Sequence, residues 1–243
     1  MYFFLNASEV MLFLHLFISR IIYFFNIEYV MENSFLLVII IANILFSLKG
    51  FNDEHFLQNY KFHVGSIRGG QQFRMVTSAF LHGDIFHLAF NMISLYSFAP
   101  VVSQTLGNIT FLLIYFGSLI FGSLLTMIFH SKEYNYSAVG ASGAVTGIIY
   151  SSILIYPNMT IGIFGIIPMP AYIFGIAYLL YSIYGMKSRA GNIGHTAHFG
   201  GAIGGYAITL VKYPELFQQN SLMVFLLAIP IILLFIMAKM GKL

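Results

Sequence analysis

The residues able to do chemistry fall in three short clusters. Ser142 lies in Gly140-Ala141-Ser142-Gly143-Ala144, His198 lies in Gly194-His195-Thr196-Ala197-His198-Phe199-Gly200-Gly201, and His87 and Asn91 are four residues apart. A serine hydroxyl becomes a nucleophile when an imidazole within about 2.6 to 3.2 Å takes its proton. Acyl transfer also needs donors aimed at the developing oxyanion. His87 and Asn91, on one side of a helix, and the Ser142 amide near a helix N-terminus are the donors that this sequence offers. A triad would add a carboxylate to orient the histidine, yet no Asp or Glu falls between Glu133 and Glu215. The expectation is therefore a Ser142–His198 dyad in which packing, not charge, orients the imidazole.

Only membrane helices can position these groups. Of 243 residues, 19 are charged, 8 % where a soluble domain carries roughly 25 %, so a soluble fold is excluded. The charges bound long apolar runs, and a helix needs about 20 apolar residues to cross the hydrocarbon. The runs Asp84 to Lys132 and Glu133 to Lys187 each hold two spans, and three further runs hold one each. The expected spans are 34–48, 83–103, 108–129, 138–156, 160–185, 192–211 and 221–238. Pro100, Gly107, Pro157 and Pro214 punctuate the connections. An earlier apolar stretch, Val10 to Phe25, is broken by His15 and Arg20 and lacks the basic start and small-residue cleavage site of a signal peptide. It either crosses the bilayer or lies in its interface. Residues 49 to 82 form one long loop, of a length that is usually functional.

Successive spans alternate direction, so the second, fourth and sixth begin at the same face and carry His87, Asn91, Ser142 and His198 at similar depth. Ionisable groups at that depth are costly and usually mark function. Gly140, Ala144 and Gly147 in the fourth span, and Gly200, Gly201, Gly204 and Gly205 in the sixth, form small-residue faces through which two backbones approach closely. If those spans pack through them, Ser142 and His198 meet. His195 and His198, with His82 and His87, have the residue type of a metal site, but there is no HExxH motif and no intramembrane carboxylate to act as base. No metal or other cofactor is expected. The absence of cysteine removes thiolate chemistry and disulfides, and a net charge of +3 scattered through loops makes no nucleic-acid surface.

Together these residues resemble the rhomboid family of intramembrane serine proteases over about residues 70 to 210. Arg74-Met75-Val76-Thr77 with Phe80-Leu81-His82 is similar to the family's approach to its second helix. His87 to Asn91 matches its HxxxN, Gly140 to Gly143 its GxSG, and Ala197 to Gly201 its AHxGG. The resemblance implies an all-α, polytopic membrane bundle: a six-helix core over residues 33–212, preceded by the segment 1–32 and followed by an extra transmembrane helix in 213–243. It implies that Ser142 attacks, that His198 moves the proton, and that His87, Asn91 and the Ser142 amide hold the oxyanion. The implied substrates are proteins whose transmembrane helix is cut in or near the bilayer, with the fifth helix and a cap at about 186–194 controlling access. A bacterial cell (inner) membrane is the implied location; oligomeric state is not implied.

The sequence departs from the family at two places. Phe73-Arg74 stands for a Trp-Arg pair, and Thr146 stands where members usually carry an aromatic packed on the catalytic histidine. A hydroxyl hydrogen bond or another aromatic is expected to take that role. Thr146, His195 and Arg74 are the candidate supporting residues of the site as a whole. The alternative function is a catalytically inactive rhomboid-like protein that binds transmembrane helices. The face bearing the site collects most of the Lys and Arg, against Arg20 and Lys212 opposite. The positive-inside rule would make it cytoplasmic, whereas the resemblance implies an exterior site. The second is preferred, because four of those charges lie in the long loop and are poor topology signals.

Overall fold

The computed structural model describes residues 34–163, 167–188 and 194–243. In chain order the elements are α1 (Ser34–Asn52), α2 (Glu54–Tyr60), β1 (Phe62–His63), α3 (Val64–Arg68), α4 (Arg74–Thr77), a 3₁₀ turn (Ser78–Phe80), α5 (Ile85–Leu106), α6 (Asn108–Phe129), β2 (Ser137–Ala138), α7 (Ser142–Ile155), β3 (Thr160–Ile163), β4 (Ile167–Pro170), α8 (Ala171–Ser188), α9 (His195–Lys212), α10 (Leu216–Gln219) and α11 (Ser221–Lys239). The protein is an all-α membrane bundle. The helices α1, α5, α6 and α11 are each long and apolar enough to cross a bilayer, and α7 is a shorter apolar helix. The stretch Val10 to Phe25 and most of the expected cap lie outside the described residues.

Helix boundaries follow local chemistry. Asp84, in extended conformation, caps α5 by accepting the His87 N–H at 2.8 Å. Pro100 does not end α5; the helix runs on to Leu106 and turns at Gly107, whose φ of 84° only glycine adopts without strain. The fifth span is shorter than the expected 160–185. Pro168 and Pro170 cannot donate as helix-interior residues do, and the chain instead forms the antiparallel pair β3–β4 before α8 begins at Ala171.

Helix α7 is the axis. Every residue from Gly143 to Ile155 is buried, with α5, α6, α8 and α9 packed around it. Glycine lets α9 lie against two neighbours at once. A Cβ on Gly201 or Gly205 would strike the carbonyls of Gly143 and Gly147 on α7; a Cβ on Gly200 or Gly204 would strike Phe121 to Gly122 and Ser118 on α6. The two small-residue faces of this span thus serve two different helices. The outward faces are apolar, as at Val38 and Leu45 on α1 and Phe225 and Ile232 on α11, which is what contact with lipid requires.

Candidate active site

The approach to Ser142 is held by the long loop, which is not structureless. It builds α2, β1, α3, α4 and the 3₁₀ turn, and β1 pairs with β2 so that Phe62 lies opposite Ala138, just ahead of the Gly140 turn. The Ser78 carbonyl accepts the Gly140 N–H at 3.0 Å. Gly140 has φ of 127°, and a Cβ there would lie 2.7 Å from His87 Cε1 and Nε2. Glycine is required twice over, for the backbone angle and for the closeness of the His87 ring.

His82 completes this clasp, a role that its sequence context did not suggest. It is almost fully buried, its Nε2 accepts the Ala141 N–H at 3.4 Å, and its Nδ1 lies 2.8 Å from Ser47 Oγ on α1. Ser47 Oγ in turn donates to the Phe80 carbonyl at 3.1 Å. The partners assign the neutral tautomer with the proton on Nδ1. Burial, and secondarily the His87 beside it, pushes its pKa down to about 3. Both ring nitrogens are engaged within the protein, leaving none for a metal.

Ser142 is the first residue of α7, where amides lack intrahelical acceptors. Its Oγ lies 2.7 Å from Nε2 of His198, which sits one turn into α9. His198 is 7 % exposed. Its Nδ1 is 2.8 Å from the hydroxyl of Tyr178 on α8, and the two rings stack at 5.6 Å with 26° between planes. Tyr178 is the residue that sequence reasoning did not name. The signal was the family aromatic missing at 146; its replacement comes from a helix 32 residues further on, which no local spacing reveals. Thr146 Oγ1 donates to the Ser142 carbonyl at 2.7 Å and lies 3.5 Å from the Tyr178 hydroxyl.

The other expected residues are distributed as follows. His87 faces Gly140 beside Ser142. Asn91 is 5 % exposed and gives one amide N–H to the His87 carbonyl at 2.9 Å, which leaves its second N–H and orients the side chain toward the start of α5. His195 lies edge-on to the His198 ring at 6.2 Å and edge-on to Tyr181 at 5.5 Å, packed against Gly185 in the α8–α9 contact. Arg74 is away from Ser142. Its guanidinium donates to Gln71 Oε1 and to the carbonyls of Gln58 and Lys61 at 2.6, 2.7 and 3.1 Å, tying the loop together. A cavity of about 40 Å³ opens beside Ser142, bounded by Gly140, Gly143, Ser123, Thr126 and Ala197. That exceeds the roughly 10 to 15 Å³ needed by one water.

Ser142 and His198 thus meet beside water-sized space, at the first residue of α7 and in the first turn of α9. The rhomboid-domain family model matches residues 69–215. The chain belongs to the rhomboid family. "RHOMBOID-like protein 12, mitochondrial" of Arabidopsis thaliana is 30 % identical over 181 residues, covering 68 % of this chain and 54 % of the plant protein. "Putative rhomboid protease YdcA" of Bacillus subtilis is 32 % identical over 147 residues, 60 % of this chain and 69 % of the relative. "Rhomboid protease GluP", also of B. subtilis, is 32 % identical over 148 residues, 58 % of this chain and 26 % of the relative. The rhomboid chain thus spans about half the length of the plant relative and about a quarter of the last.

Proposed function

We propose that this rhomboid protein is an intramembrane serine endopeptidase that cuts a peptide bond in or near the transmembrane helix of membrane-protein substrates. The observation that carries the reading is the 2.7 Å contact between Ser142 Oγ and His198 Nε2, within the range for direct proton transfer. Ser142 Oγ bonds to the scissile carbonyl carbon as its proton passes to His198 Nε2. The imidazolium then gives that proton to the leaving amine as the C–N bond breaks. Water, delivered through the cavity beside Ser142, repeats the cycle on the acyl-enzyme and releases the acid and free Ser142. His87, the second N–H of Asn91 and the Ser142 amide at the start of α7 supply donors to the oxyanion.

Two consequences follow from the membrane setting. A scissile carbonyl within a helix is screened by its own hydrogen bond, so the substrate must unwind locally, and helices weakened by small residues are the preferred substrates. The membrane is proposed to be a bacterial cell membrane on the strength of the B. subtilis relatives; the plant relative bears a mitochondrial name. Incubating a panel of single-pass helices with wild type and Ser142→Ala in proteoliposomes tests the function. Cleavage by wild type alone is expected. Helix binding without turnover would assign the chain to the alternative, an inactive rhomboid-like protein that binds transmembrane helices.

A further inference from the structure

The base of a serine hydrolase needs a partner that fixes its tautomer, because only an imidazole with its proton on Nδ1 presents a lone pair on Nε2 to the serine. Among the described residues, the hydrogen-bond partners of His198 are Tyr178 and Ser142, and neither is a carboxylate. Its Nδ1 faces the Tyr178 hydroxyl at 2.8 Å, and a phenol can either donate or accept. Were Tyr178 to donate, Nδ1 would carry the lone pair and Nε2 the proton, leaving His198 unable to accept from Ser142. Something must decide the direction.

Resting on the serine-protease reading above, we infer that Thr146 and Tyr178 form a positioning pair that sets the direction of this hydrogen bond and so the tautomer of His198. Thr146 has one hydroxyl proton, and the Ser142 carbonyl takes it at 2.7 Å. Towards Tyr178 the threonine oxygen can then only accept, at 3.5 Å. The phenol proton points at Thr146, its oxygen lone pair points at His198, and Nδ1–H donates to it. Nε2 is left as acceptor for the Ser142 hydroxyl at 2.7 Å. The chain of donors runs from Ser142 Oγ–H through His198, Tyr178 and Thr146 to the carbonyl of Ser142 itself, with each hydrogen used once.

This arrangement gives Thr146 a use that an aromatic at that position could not have. The stacked Tyr178 ring supplies the packing surface and the two hydroxyls supply the direction. It also makes the base dependent on the seating of α8. Ser142 and His198 belong to α7 and α9, and a displacement of α8 by about 1 Å would stretch the Tyr178–His198 bond beyond hydrogen-bond range.

Two readouts test the pair on the full chain in detergent. In the first, ¹⁵N spectra of ring-labelled histidine identify His198 by the signal lost in His198→Ala. Wild type is expected to show the Nδ1–H tautomer, and Tyr178→Phe, which keeps the ring and loses the hydroxyl, a mixture or the Nε2–H form. In the second, Tyr178→Phe and Thr146→Val are expected to lower kcat for a cleaved helix by about 10- to 100-fold with KM unchanged, less than the roughly 10⁴-fold seen when a serine protease base holds the wrong tautomer. The double variant should be no worse than Tyr178→Phe, since both act on one bond. An unchanged His198 tautomer in Tyr178→Phe overturns the inference, as does a kcat within twofold of wild type. A rise in KM with constant kcat would assign Tyr178 to substrate packing and equally overturn it. Failure of wild type to cleave any helix would overturn the protease reading; the tautomer spectra would still decide the role of Tyr178.

Discussion

The contact of α9 with α7 sets the Ser142–His198 distance, so a single methyl group there should disable the site without touching it. A Cβ on Gly201 would lie 2.7 Å from the Gly143 carbonyl carbon and 3.0 Å from its Cα. Carbon atoms rest at about 3.5 Å or more, so Gly201→Ala must push the helices apart by at least about 0.8 Å. Both backbones are buried and α6 packs against the adjacent face of α9, so no flexible side chain can yield instead. Gly143 adjoins Ser142, and Gly201 is one turn from His198. Most of the displacement therefore reaches the Oγ···Nε2 contact, stretching 2.7 Å to about 3.5 Å, outside the roughly 2.6 to 3.2 Å that proton transfer needs. Misplacement of this size costs about 10²-fold in rate, and overpacking costs about 1 to 3 kcal/mol of stability. Cleavage of a transmembrane substrate, with thermal unfolding in detergent measured alongside, reads both. Gly117→Ala is the control: the added methyl meets only the flexible end of Ile208, so activity should stay within about twofold. Cleavage by Gly201→Ala within threefold of wild type would refute the claim that glycine contacts set the distance.

Three further outcomes are expected. Gly140→Ala, which places a methyl 2.7 Å from the His87 ring on a backbone with φ of 127°, should lower kcat at least tenfold while Ser142 still reacts with a small phosphonate; equal loss of both reactions would place the damage at Ser142 rather than at the oxyanion donors. Arg74→Ala removes three partly buried hydrogen bonds that tie the loop together and should destabilise the protein by about 2 kcal/mol, measured by thermal unfolding in micelles, whereas Arg74→Lys should recover only part. A reporter fused after Leu243 should be exposed on the exterior side if the site opens there, since α11 ends at the face where α5, α7 and α9 begin; cytoplasmic activity of the reporter would reverse the orientation.

Much of the bundle was legible because a membrane admits few solutions. Charge-free runs located the helices, and alternation of direction put Ser142, His198, His87 and Asn91 at one end. The difference was local: Pro100 lies within α5, as the expected span 83–103 allowed, whereas Pro168 and Pro170 delay α8 to Ala171, and proline alone does not say which will happen. Small-residue spacing announced that α9 packs closely, but not that Gly200 and Gly204 face α6 while Gly201 and Gly205 face α7. The clasp of His82 with Ser47 and Ala141 joins residues 35 and 59 positions apart, a relation set by tertiary packing. Tyr178 was hidden for the same reason, as one of 16 tyrosines on a helix whose pattern reads as ordinary apolar packing. Arg74 carries the only guanidinium in its motif and was expected near the site; the structure uses it to brace the loop that supports Ser142 from behind.

Covalent labelling decides whether Ser142 is a nucleophile activated by His198. The full chain in detergent is treated with a serine-directed fluorophosphonate, and the modified residue is identified by mass spectrometry of its peptides in wild type, Ser142→Ala and His198→Ala. An adduct on Ser142 is expected in wild type and none in either variant, with all three proteins unfolding at similar temperatures. An adduct on another residue, or labelling of Ser142 at the wild-type rate in His198→Ala, would contradict it.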